Sequence, residues 1–296
     1  MAITASLVKE LRERTGAGMM ECKKALEETN GDIEVAIENM RKSGQAKAAK
    51  KAGRIAADDV IKVAISADGK SAAMVEVNCE TDFVAKGDDF RSFANEMAAY
   101  ALSNGVESSE ALRDQKADAI NELTLKCGEK IDLRRMIAKS TDNKLGYYNH
   151  GGKIGVVVEA KTTASGEMLD ELLKDVSMHV AAASPRFLAA GDIDESFKER
   201  EAKIYTEQLK EQGKPEQMIP NIVQGKLKKL ASEVCLLEQK FVKNPDLSVS
   251  AHVDAVAKEL GASVELVAFR SLVLGEGVEK KVDNLADEVA KMTGQQ

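Results

Sequence analysis

The sequence predicts an α+β fold with a three-helix N-terminal module, a two-lobed α+β core with small antiparallel sheets, an inserted helical hairpin and a short C-terminal helix. Three observations support this prediction. Apolar residues recur at helical spacing over the first 40 residues, and from residue 58 onward they alternate as in strands. A strand hairpin followed by a helix then occurs twice, so we expect two core lobes of similar design.

Three short helices are predicted at the N-terminus. Thr4 is the expected N-cap of the first helix, which ends near Gly16. The second ends at Asn30-Gly31, and Asp32 caps the third. Three such helices resemble a ubiquitin-associated-type module, a small binding platform. The Lys/Ala-rich segment 41–54 is interpreted as a linker with some helical character.

The first core lobe is predicted to contain a strand hairpin, two helices and a closing strand. Asp68-Gly69 supplies the hairpin turn, and Asp88 or Asp89 is the expected N-cap of the first helix. Between the second strand and that helix we expect an acidic, aromatic-tipped turn. The elements in order are strands 61–65 and 74–78, helices 90–102 and 112–125, and a strand at 131–137.

The second lobe repeats this layout but is interrupted by a long helical segment. A glycine-rich turn, His150-Gly151-Gly152, joins its first two strands. The α+β pattern resumes only after the helical segment, so we interpret that segment as an antiparallel hairpin inserted into the lobe. The elements are strands 145–148 and 154–159, a helix over 169–180, hairpin helices 195–212 and 216–237, a helix at 250–260 and a strand at 266–274.

These elements divide the chain into consecutive units. The boundaries follow changes in hydrophobic period, such as the switch to a charged helical pattern after Ser184-Pro185. A short amphipathic helix over 284–292 ends the chain. The units are 1–54 for the three-helix module and its linker, 55–142 for the first lobe, 143–183 and 238–275 for the two parts of the second lobe, 184–237 for the helical hairpin and 276–296 for the C-terminal helical module.

Composition narrows the classes of function. The net charge of −7 argues against a primary role on nucleic acid, because nucleic-acid-binding proteins usually present a basic surface. No apolar run approaches the ~20 residues that a membrane-spanning helix needs. Lys9, Glu10 and Arg12 lie where a signal peptide is apolar, so we expect a cytoplasmic protein with no membrane partner.

No cofactor or metal site is predicted. Cys22, Cys79, Cys127 and Cys235 are widely scattered, which favours free thiols over disulfides or a zinc site. The three histidines have no metal-ligand spacing. Gly69-Lys70-Ser71 imitates the end of a phosphate-binding loop, but it falls in a hairpin instead of a strand-to-helix turn. We therefore expect no nucleotide to bind this chain.

The most informative run is Val75–Lys86, in which a strand with alternating valines ends in an acidic turn before a helix. Within it, Thr81-Asp82-Phe83-Val84 closely resembles the signature of the bacterial translation elongation factor Ts family. The block Thr15–Leu26, with Gly18-Met19-Met20 at its centre, resembles the opening block of the same family. Two motifs in the family's order and spacing make the match specific, and the resemblance extends over essentially the whole chain.

The resemblance implies a guanine-nucleotide exchange factor that binds elongation factor Tu and makes no covalent change. In this family the motif matched by Thr81, Asp82, Phe83 and Val84 enters the nucleotide domain of elongation factor Tu near its magnesium site and promotes GDP release. From the residues alone, Phe83 has two interpretations: a hydrophobic staple packed on the following helix, or an exposed aromatic anchor for a partner. The resemblance favours the anchor.

The resemblance also implies further partner contacts. It assigns docking on the partner's nucleotide domain to the module that contains Met19, Met20 and Lys23, although helical spacing alone favours at least one methionine in the module's core. It brings Cys127-Gly128 close to the partner's phosphate-binding loop. There the residues alone indicate a helix stop, and Cys127 replaces the family's usual aliphatic residue. His150 is either a contact with another partner domain or a solvated turn residue.

Several alternatives stay open. The N-terminal module alone is compatible with a ubiquitin-like-binding or scaffolding adaptor without exchange activity. The α+β lobes are compatible with a small-molecule enzyme, although the sequence offers no convergent nucleophile, base and orienting group. The cluster Lys47, Lys50, Lys51 and Arg54 is interpreted as a solvated linker instead of an RNA contact. Heptad-like spacing in the hairpin indicates internal packing or, by the resemblance, a homodimer contact.

Overall fold

The computed structural model describes residues 3–51, 53–56 and 58–277, with the side chains of residues 45–50 outside that description. Its N-terminal module consists of the helices α1 (Ala5–Thr15), α2 (Met19–Glu28) and α3 (Ile33–Lys51). Because α3 continues to Lys51, residues 41–51 are helical where the sequence indicated a linker with only some helical character.

The ends of these helices follow the predicted signals. The Thr4 hydroxyl accepts a hydrogen bond from the Leu7 N–H at 3.3 Å and so caps α1. Gly16 ends α1 with φ +66°, and Gly31 has φ +90°, a left-handed conformation that glycine adopts without strain. Small apolar side chains fill the space between the helices, and the buried members are Val8, Leu11, Ala17, Cys22, Ala25, Leu26 and Ala36.

The first lobe is a three-stranded antiparallel sheet covered by helices. The elements are β1 (Asp58–Ile65), β2 (Ser71–Cys79), α4 (Asp82–Lys86), α5 (Asp88–Ser103), α6 (Ser109–Gln115), α7 (Ala117–Cys127) and β3 (Asp132–Ser140). The strands are in the order β1-β2-β3, and the helices α5 to α7 pack on the sheet through an apolar core that includes Phe90, Met97, Leu112 and Leu133.

Three details of the first lobe differ from the prediction. The expected turn after β2 contains a one-turn helix, α4. The N-cap of α5 is Gly87, not Asp88 or Asp89, because both aspartates already lie in the first turn, where the helix dipole favours negative charge. The predicted polar helix over 112–125 is broken at Lys116 into α6 and α7.

The second lobe repeats the arrangement, as predicted. The elements are β4 (Lys144–His150), β5 (Ile154–Thr162), α8 (Glu167–Ala183), α9 (Glu195–Glu211), α10 (Ile219–Val234), β6 (Lys240–Phe241), β7 (Asn244–Ser248), α11 (Val249–Leu260) and β8 (Val264–Val273). The sheet has the order β4-β5-β8, and the core joins β5 and β8 to α8 and α11. The last strand, β8, follows the helical hairpin in the chain and still pairs with β5, which confirms the insertion. A two-stranded ribbon, β6 with β7, was not predicted.

The two lobes pack sheet against sheet. Ile61 and Met74 of the first lobe share an apolar cluster with Leu145 and Val157 of the second. Gly155 permits this close approach, since a Cβ there would lie 2.7 Å from Ile61 Cγ2. The Ile61 N–H also donates to the Gly152 carbonyl at 2.7 Å, so the lobes are joined by backbone as well as by side chains.

The helical hairpin packs mainly on itself. Leu209 of α9 lies in one apolar cluster with Ile219 and Val223 of α10. Ile204 and Met218 are exposed on the outside of the hairpin. Internal packing therefore accounts for much of its heptad-like spacing.

The N-terminal module is attached to the first lobe through α3 and α7. Gly44 of α3 lies directly against the Leu125 side chain of α7, and Arg41 is 3.7 Å from Asp118 and 3.6 Å from Glu122. A small residue at the crossing lets the two helices approach closely. The position of the module is thereby linked to the helix that ends at Cys127.

Residues 278–296 of the C-terminal unit lie outside the described residues, and the helix predicted over 284–292 lies there as well. Among the helices that the structure describes, none combines the length and the apolar character needed to cross a membrane. The division of the chain into five units, with the second lobe in two parts, stays a prediction.

Candidate functional site

The short helix α4 presents an aromatic ring to solvent. Thr81 caps it, because its hydroxyl accepts the Val84 N–H at 3.4 Å. The next apolar side chains, Val84 and Ala85, pack against the core of the first lobe, whereas Phe83 is 84% exposed. The hydrophobic-staple interpretation of Phe83 is therefore wrong.

Asp82 is a paired surface carboxylate at the start of α4. Lys86 Nζ lies 2.6 Å from Asp82 Oδ2, one helical turn away. The hydrogen bond from Lys86 lowers the pKa of Asp82 below its ordinary value. Asp82 is therefore ionised at neutral pH and places a negative charge beside the exposed Phe83 ring.

The segment before α4 is held by a glutamate from a distant part of the chain. Glu129 Oε2 accepts the backbone N–H groups of Glu80 and Thr81, each at 3.0 Å. Glu129 Oε1 accepts the Thr81 hydroxyl at 2.6 Å. One carboxylate thus receives three donors from two consecutive residues, which fixes the entry into α4.

Glu80 makes the reciprocal contact. Its Oε1 accepts the Lys130 N–H at 2.7 Å and lies 3.2 Å from the Arg54 guanidinium. Burial opposes ionisation of Glu80, but the hydrogen bonds from the Lys130 amide and Arg54 outweigh it and lower its pKa. Residues 80–81 and 129–130 therefore bind each other through carboxylate–amide bonds in both directions.

The end of α3 is tied to the same place. Lys51 Nζ donates to the Gly128 carbonyl, and Lys130 Nζ donates to the Arg54 carbonyl at 3.1 Å. The solvated-linker interpretation is therefore wrong for Lys51 and Arg54, which take part in this network. Lys47 and Lys50 have side chains outside the described residues.

Cys127-Gly128 forms the adjoining turn. Gly128 has φ +76° and ends α7, so the predicted helix stop is confirmed. Apart from its chain neighbours, no atom of the described residues lies within 4 Å of where its Cβ would be, which leaves this backbone open to approach by another molecule. Cys127 is half-buried, its thiol donates to the Glu129 carbonyl at 3.8 Å, and burial raises its pKa.

The neighbouring thiol supports the same loop. Cys79 is buried at the end of β2 and donates to the Thr81 carbonyl at 3.2 Å. Burial, together with the nearby Glu129 and Asp58 carboxylates, raises the pKa of Cys79 to about 12. All four cysteines are free, as predicted, and Cys79 is an unreactive thiol at neutral pH.

The structure thus joins two segments that the sequence singled out separately, Thr81–Val84 and Cys127-Gly128. The residues that join them, Glu80 and Glu129 with Arg54, were missed by sequence reasoning. The contacts of Glu129 with Glu80 and of Glu80 with Lys130 link positions 49 and 50 apart, and Arg54 is 26 positions from Glu80. Neither hydrophobic period nor turn chemistry indicates such pairs.

Comparison with known proteins identifies the family. The family model described as Elongation factor TS matches residues 80–276, a range that includes both joined segments. Elongation factor Ts of Clostridium perfringens (strain SM101 / Type A) is 46% identical over 99% of both chains. Elongation factor Ts of Hydrogenovibrio crunogenus is 48% identical over 98% of this chain and 97% of its own. The chain belongs to the elongation factor Ts family.

Membership of the elongation factor Ts family confirms the resemblance drawn from the two motifs. It places the chain among translation elongation factors, which act in protein biosynthesis. The relatives are similar over nearly their whole length, so the N-terminal module belongs to the match as well as the core.

The family's opening block forms an exposed surface on the N-terminal module. Met19 and Met20 are 60% and 74% exposed, and a groove of about 360 Å³ between α1 and α2 is lined in part by them, Val8 and Lys23. The expectation of a core methionine here is wrong, because the buried face of α2 consists of Cys22, Ala25 and Leu26. Lys23 is also exposed and lies 3.8 Å from Glu27.

In this member of the elongation factor Ts family, His150 lies apart from the two joined segments, Thr81–Val84 and Cys127-Gly128. It ends β4 in the second lobe, is exposed, and its Nδ1 is 3.0 Å from the Tyr148 hydroxyl. His179 and His252 are structural: His179 Nε2 is 3.0 Å from Gln239 Oε1, and the His252 ring stacks on the Phe241 ring with centroids 4.2 Å apart. Burial lowers the pKa of both.

Proposed function

We propose that this protein is a guanine-nucleotide exchange factor that binds elongation factor Tu in the cytoplasm and promotes GDP release for GTP loading. The observation that carries this proposal is the exposed Phe83 ring on a short helix fixed to the first lobe. A large aromatic side chain held in water is a typical interface anchor, because its burial in a partner removes apolar surface from solvent.

The proposed mechanism acts on the partner's magnesium ion without touching it. Mg²⁺ requires near-ideal octahedral geometry and connects nucleotide phosphates to protein ligands. Insertion of Phe83 beside the partner's magnesium site displaces the elements that hold those ligands. Loss of the ion removes the largest positive charge near the phosphates, so GDP is held more weakly.

Asp82 contributes charge to the same event. Its carboxylate is ionised and lies next to Phe83, where Lys86 balances it in the free protein. When α4 enters the partner, Asp82 brings a negative charge towards a site that binds phosphates. This charge disfavours bound GDP in the complex.

The thermodynamic basis is reciprocal coupling. A protein that binds nucleotide-free elongation factor Tu more tightly than the GDP-bound form lowers the GDP affinity by the same factor. GTP and then aminoacyl-tRNA, by binding the partner, displace the exchange factor again. The exchange factor itself needs no cofactor and breaks no covalent bond.

Other exposed groups are proposed as additional partner contacts. Met19, Met20 and Lys23 dock the N-terminal module on the nucleotide domain, and methionine suits such adaptable surfaces. Gly128 offers open backbone near the phosphate-binding loop, with Cys127 beside it. His150 contacts a different domain of the partner, and self-association through the helical hairpin stays an additional proposal.

The test of this function is GDP release from purified elongation factor Tu loaded with a fluorescent GDP analogue. We expect release to accelerate in proportion to the added chain until it saturates. An inert protein at equal concentration controls for nonspecific effects. Unchanged release at concentrations where calorimetry shows full binding would refute the exchange function.

That outcome would support the second candidate function, a ubiquitin-like-binding or scaffolding adaptor. The specific observation behind it is the groove at Met19 and Met20, an exposed apolar surface on a ubiquitin-associated-like module. An adaptor binds through this groove and leaves nucleotide release at its intrinsic rate.

A further inference from the structure

We infer that Glu129 is a positioning residue, which holds α4 and the Cys127-Gly128 turn as one rigid unit so that both meet the partner together. The inference rests on the proposed exchange function. Glu129 itself acts through Phe83 and Gly128, and its carboxylate is occupied by the chain's own donors.

The first step is the number of donors that Glu129 satisfies. A carboxylate is an acceptor only, and this one receives the Glu80 N–H, the Thr81 N–H and the Thr81 hydroxyl. These donors lie between the end of β2 and the start of α4, where strand pairing has ended. Without Glu129 they lose the partner that fixes this segment against the lobe.

The second step concerns the polarity of the N-cap. The Thr81 hydroxyl has one hydrogen, and at 2.6 Å from Glu129 Oε1 that hydrogen is committed to the carboxylate. The hydroxyl lone pairs are then free for the Val84 N–H at 3.4 Å. Glu129 therefore orients the group that caps α4, the helix that carries Phe83.

The third step is reciprocity. Glu80 accepts the Lys130 N–H, so the two segments exchange bonds in opposite directions and resist rotation about any single contact. Lys51 holds the Gly128 carbonyl from a third direction. The Phe83 ring and the open Gly128 backbone are thus presented in a fixed mutual geometry, which keeps the ring in position for the exchange step once the partner is bound.

Glu129→Gln is the sharpest variant. Glutamine keeps the size of the side chain, but one of its two ends is an N–H donor that opposes the donors of the 80–81 segment. In the full chain we expect the saturating rate of GDP release from elongation factor Tu to fall about tenfold. The half-saturating concentration should change by less than about threefold, since the N-terminal contacts are unaltered.

Glu110→Gln is the matched control. It makes the same chemical change at an exposed ion pair with Arg113 in the same lobe, 3.1 Å apart, and should leave both kinetic constants unchanged. Hydrogen exchange should show faster exchange in Glu129→Gln at the amides of Glu80, Thr81 and Val84, with α5 protected as in the wild type. This readout separates a local loss of position from general destabilisation.

A double variant tests whether Glu129 acts through Phe83. In a Phe83→Ala background, Glu129→Gln should lower the rate by much less than tenfold, because the ring it positions is absent. An equally large fall in the rate of GDP release in both backgrounds would overturn the inference. So would a wild-type rate for Glu129→Gln in which the Glu80, Thr81 and Val84 amides exchange faster. If Glu129→Gln fails to fold, Thr81→Ala replaces it, because it removes the bridging hydroxyl alone. The Glu80 and Thr81 amides then stay on Glu129 Oε2, so we expect the same fall in rate with faster exchange at the Val84 amide, and a wild-type rate would overturn the inference.

The two proposals fail separately. A wild-type chain that does not accelerate GDP release refutes the exchange function. A wild-type chain that accelerates release, with Glu129→Gln equally active, refutes only the positioning role.

Discussion

Phe83 is exposed because of what its neighbours do. Val84 and Ala85 pack against the first lobe, and the Thr81 cap and the Glu129 carboxylate fix the start of the helix. The ring is left in water by a segment that is itself well anchored. An exposed phenylalanine of this kind stabilises the free protein little, which is consistent with a role in binding.

At the residue scale, the sequence alone left the role of Phe83 undecided. A staple and an exposed anchor have the same spacing before an apolar helix, and only the direction of the side chain separates them. The Glu80 and Glu129 contacts were out of reach for a different reason. They depend on β2 and the end of α7 being brought together by the fold, across about fifty positions.

Asp59 provides a residue-scale prediction about pH. It is buried on β1, where its Oδ2 accepts the Gly275 N–H at 3.3 Å, and its Oδ1 has no hydrogen-bond partner within the described part of the chain. Burial and the adjacent Glu76 carboxylate raise the pKa of Asp59 to about 7. Arg134 and Arg135 pair with Glu76 at 2.7 and 2.5 Å, and the Arg134 charge offsets only part of the rise in the Asp59 pKa.

Since the pKa of Asp59 is raised on folding, the folded state holds its proton more tightly than the unfolded state. The contribution of protonated Asp59 to the free energy of unfolding is complete below about pH 4 and is lost as the pH rises through about 7. We expect the free energy of unfolding of the wild type to fall by about 2 kcal/mol more than that of Asp59→Asn between about pH 5.5 and about pH 8. Urea unfolding at both pH values measures this, and parallel pH profiles of the two proteins would contradict it.

At the element scale, the repeated lobes were predictable because half-buried strands and amphipathic helices place apolar residues at different, regular spacings. Alternation in β1 and β2 and helical spacing in α5 and α8 predicted those elements within a few residues of their bounds. The α4 helix and the β6–β7 ribbon were missed, because α4 and β7 have five residues each and β6 has two, too few to show a period.

Glycines in two elements give a matched pair of stability predictions. Gly155→Ala places a Cβ at 2.7 Å from Ile61 Cγ2 and 3.1 Å from Val63 Cγ2, in the interface between the lobes. We expect it to lower the free energy of unfolding by about 1–3 kcal/mol through overpacking. Gly225→Ala is at an exposed site in α10, where the new Cβ meets no atom of the described residues outside its own helix within 4 Å, so it should instead raise the free energy of unfolding by about 0.5–1 kcal/mol. Denaturant unfolding measures the free energy of unfolding of both variants. A stabilising Gly155→Ala would refute the close packing of the sheets.

The α2 helix carries an element-scale binding prediction. Replacing both Met19 and Met20 with alanine removes exposed apolar surface without touching the module's core. We expect the affinity for elongation factor Tu to fall about tenfold, with no change in unfolding. Calorimetry against the partner checks this, and Met218→Ala, at an exposed methionine before α10, is the control. Equal affinities for all three proteins would remove α2 from the proposed interface.

At the scale of the whole molecule, one frame connects the surfaces proposed to meet the partner. The N-terminal module is packed on α7 through Gly44 and Leu125, and α7 ends in the turn that Glu129 joins to α4. The second lobe is fixed to the first by the packed sheets. The methionine groove, Phe83 and His150 therefore belong to one connected body, which the proposed distortion of a partner requires.

The whole-molecule organisation was only partly visible in the sequence. The family motifs and the repeated pattern predicted a module, two lobes and an insertion. The face-to-face packing of the lobes depends on Gly155, Ile61 and Met74 meeting across two sheets, which no local pattern encodes.

The most direct test of the central claim is stopped-flow release of a fluorescent GDP analogue from elongation factor Tu by Phe83→Ala. Since Phe83 is exposed, its loss should leave the unfolding midpoint of the chain unchanged. We expect the saturating rate of GDP release to fall by at least about tenfold, while Val267→Ala, at an exposed apolar residue on the second sheet, matches the wild type. Release by Phe83→Ala at the wild-type rate would contradict the claim that this ring drives nucleotide exchange.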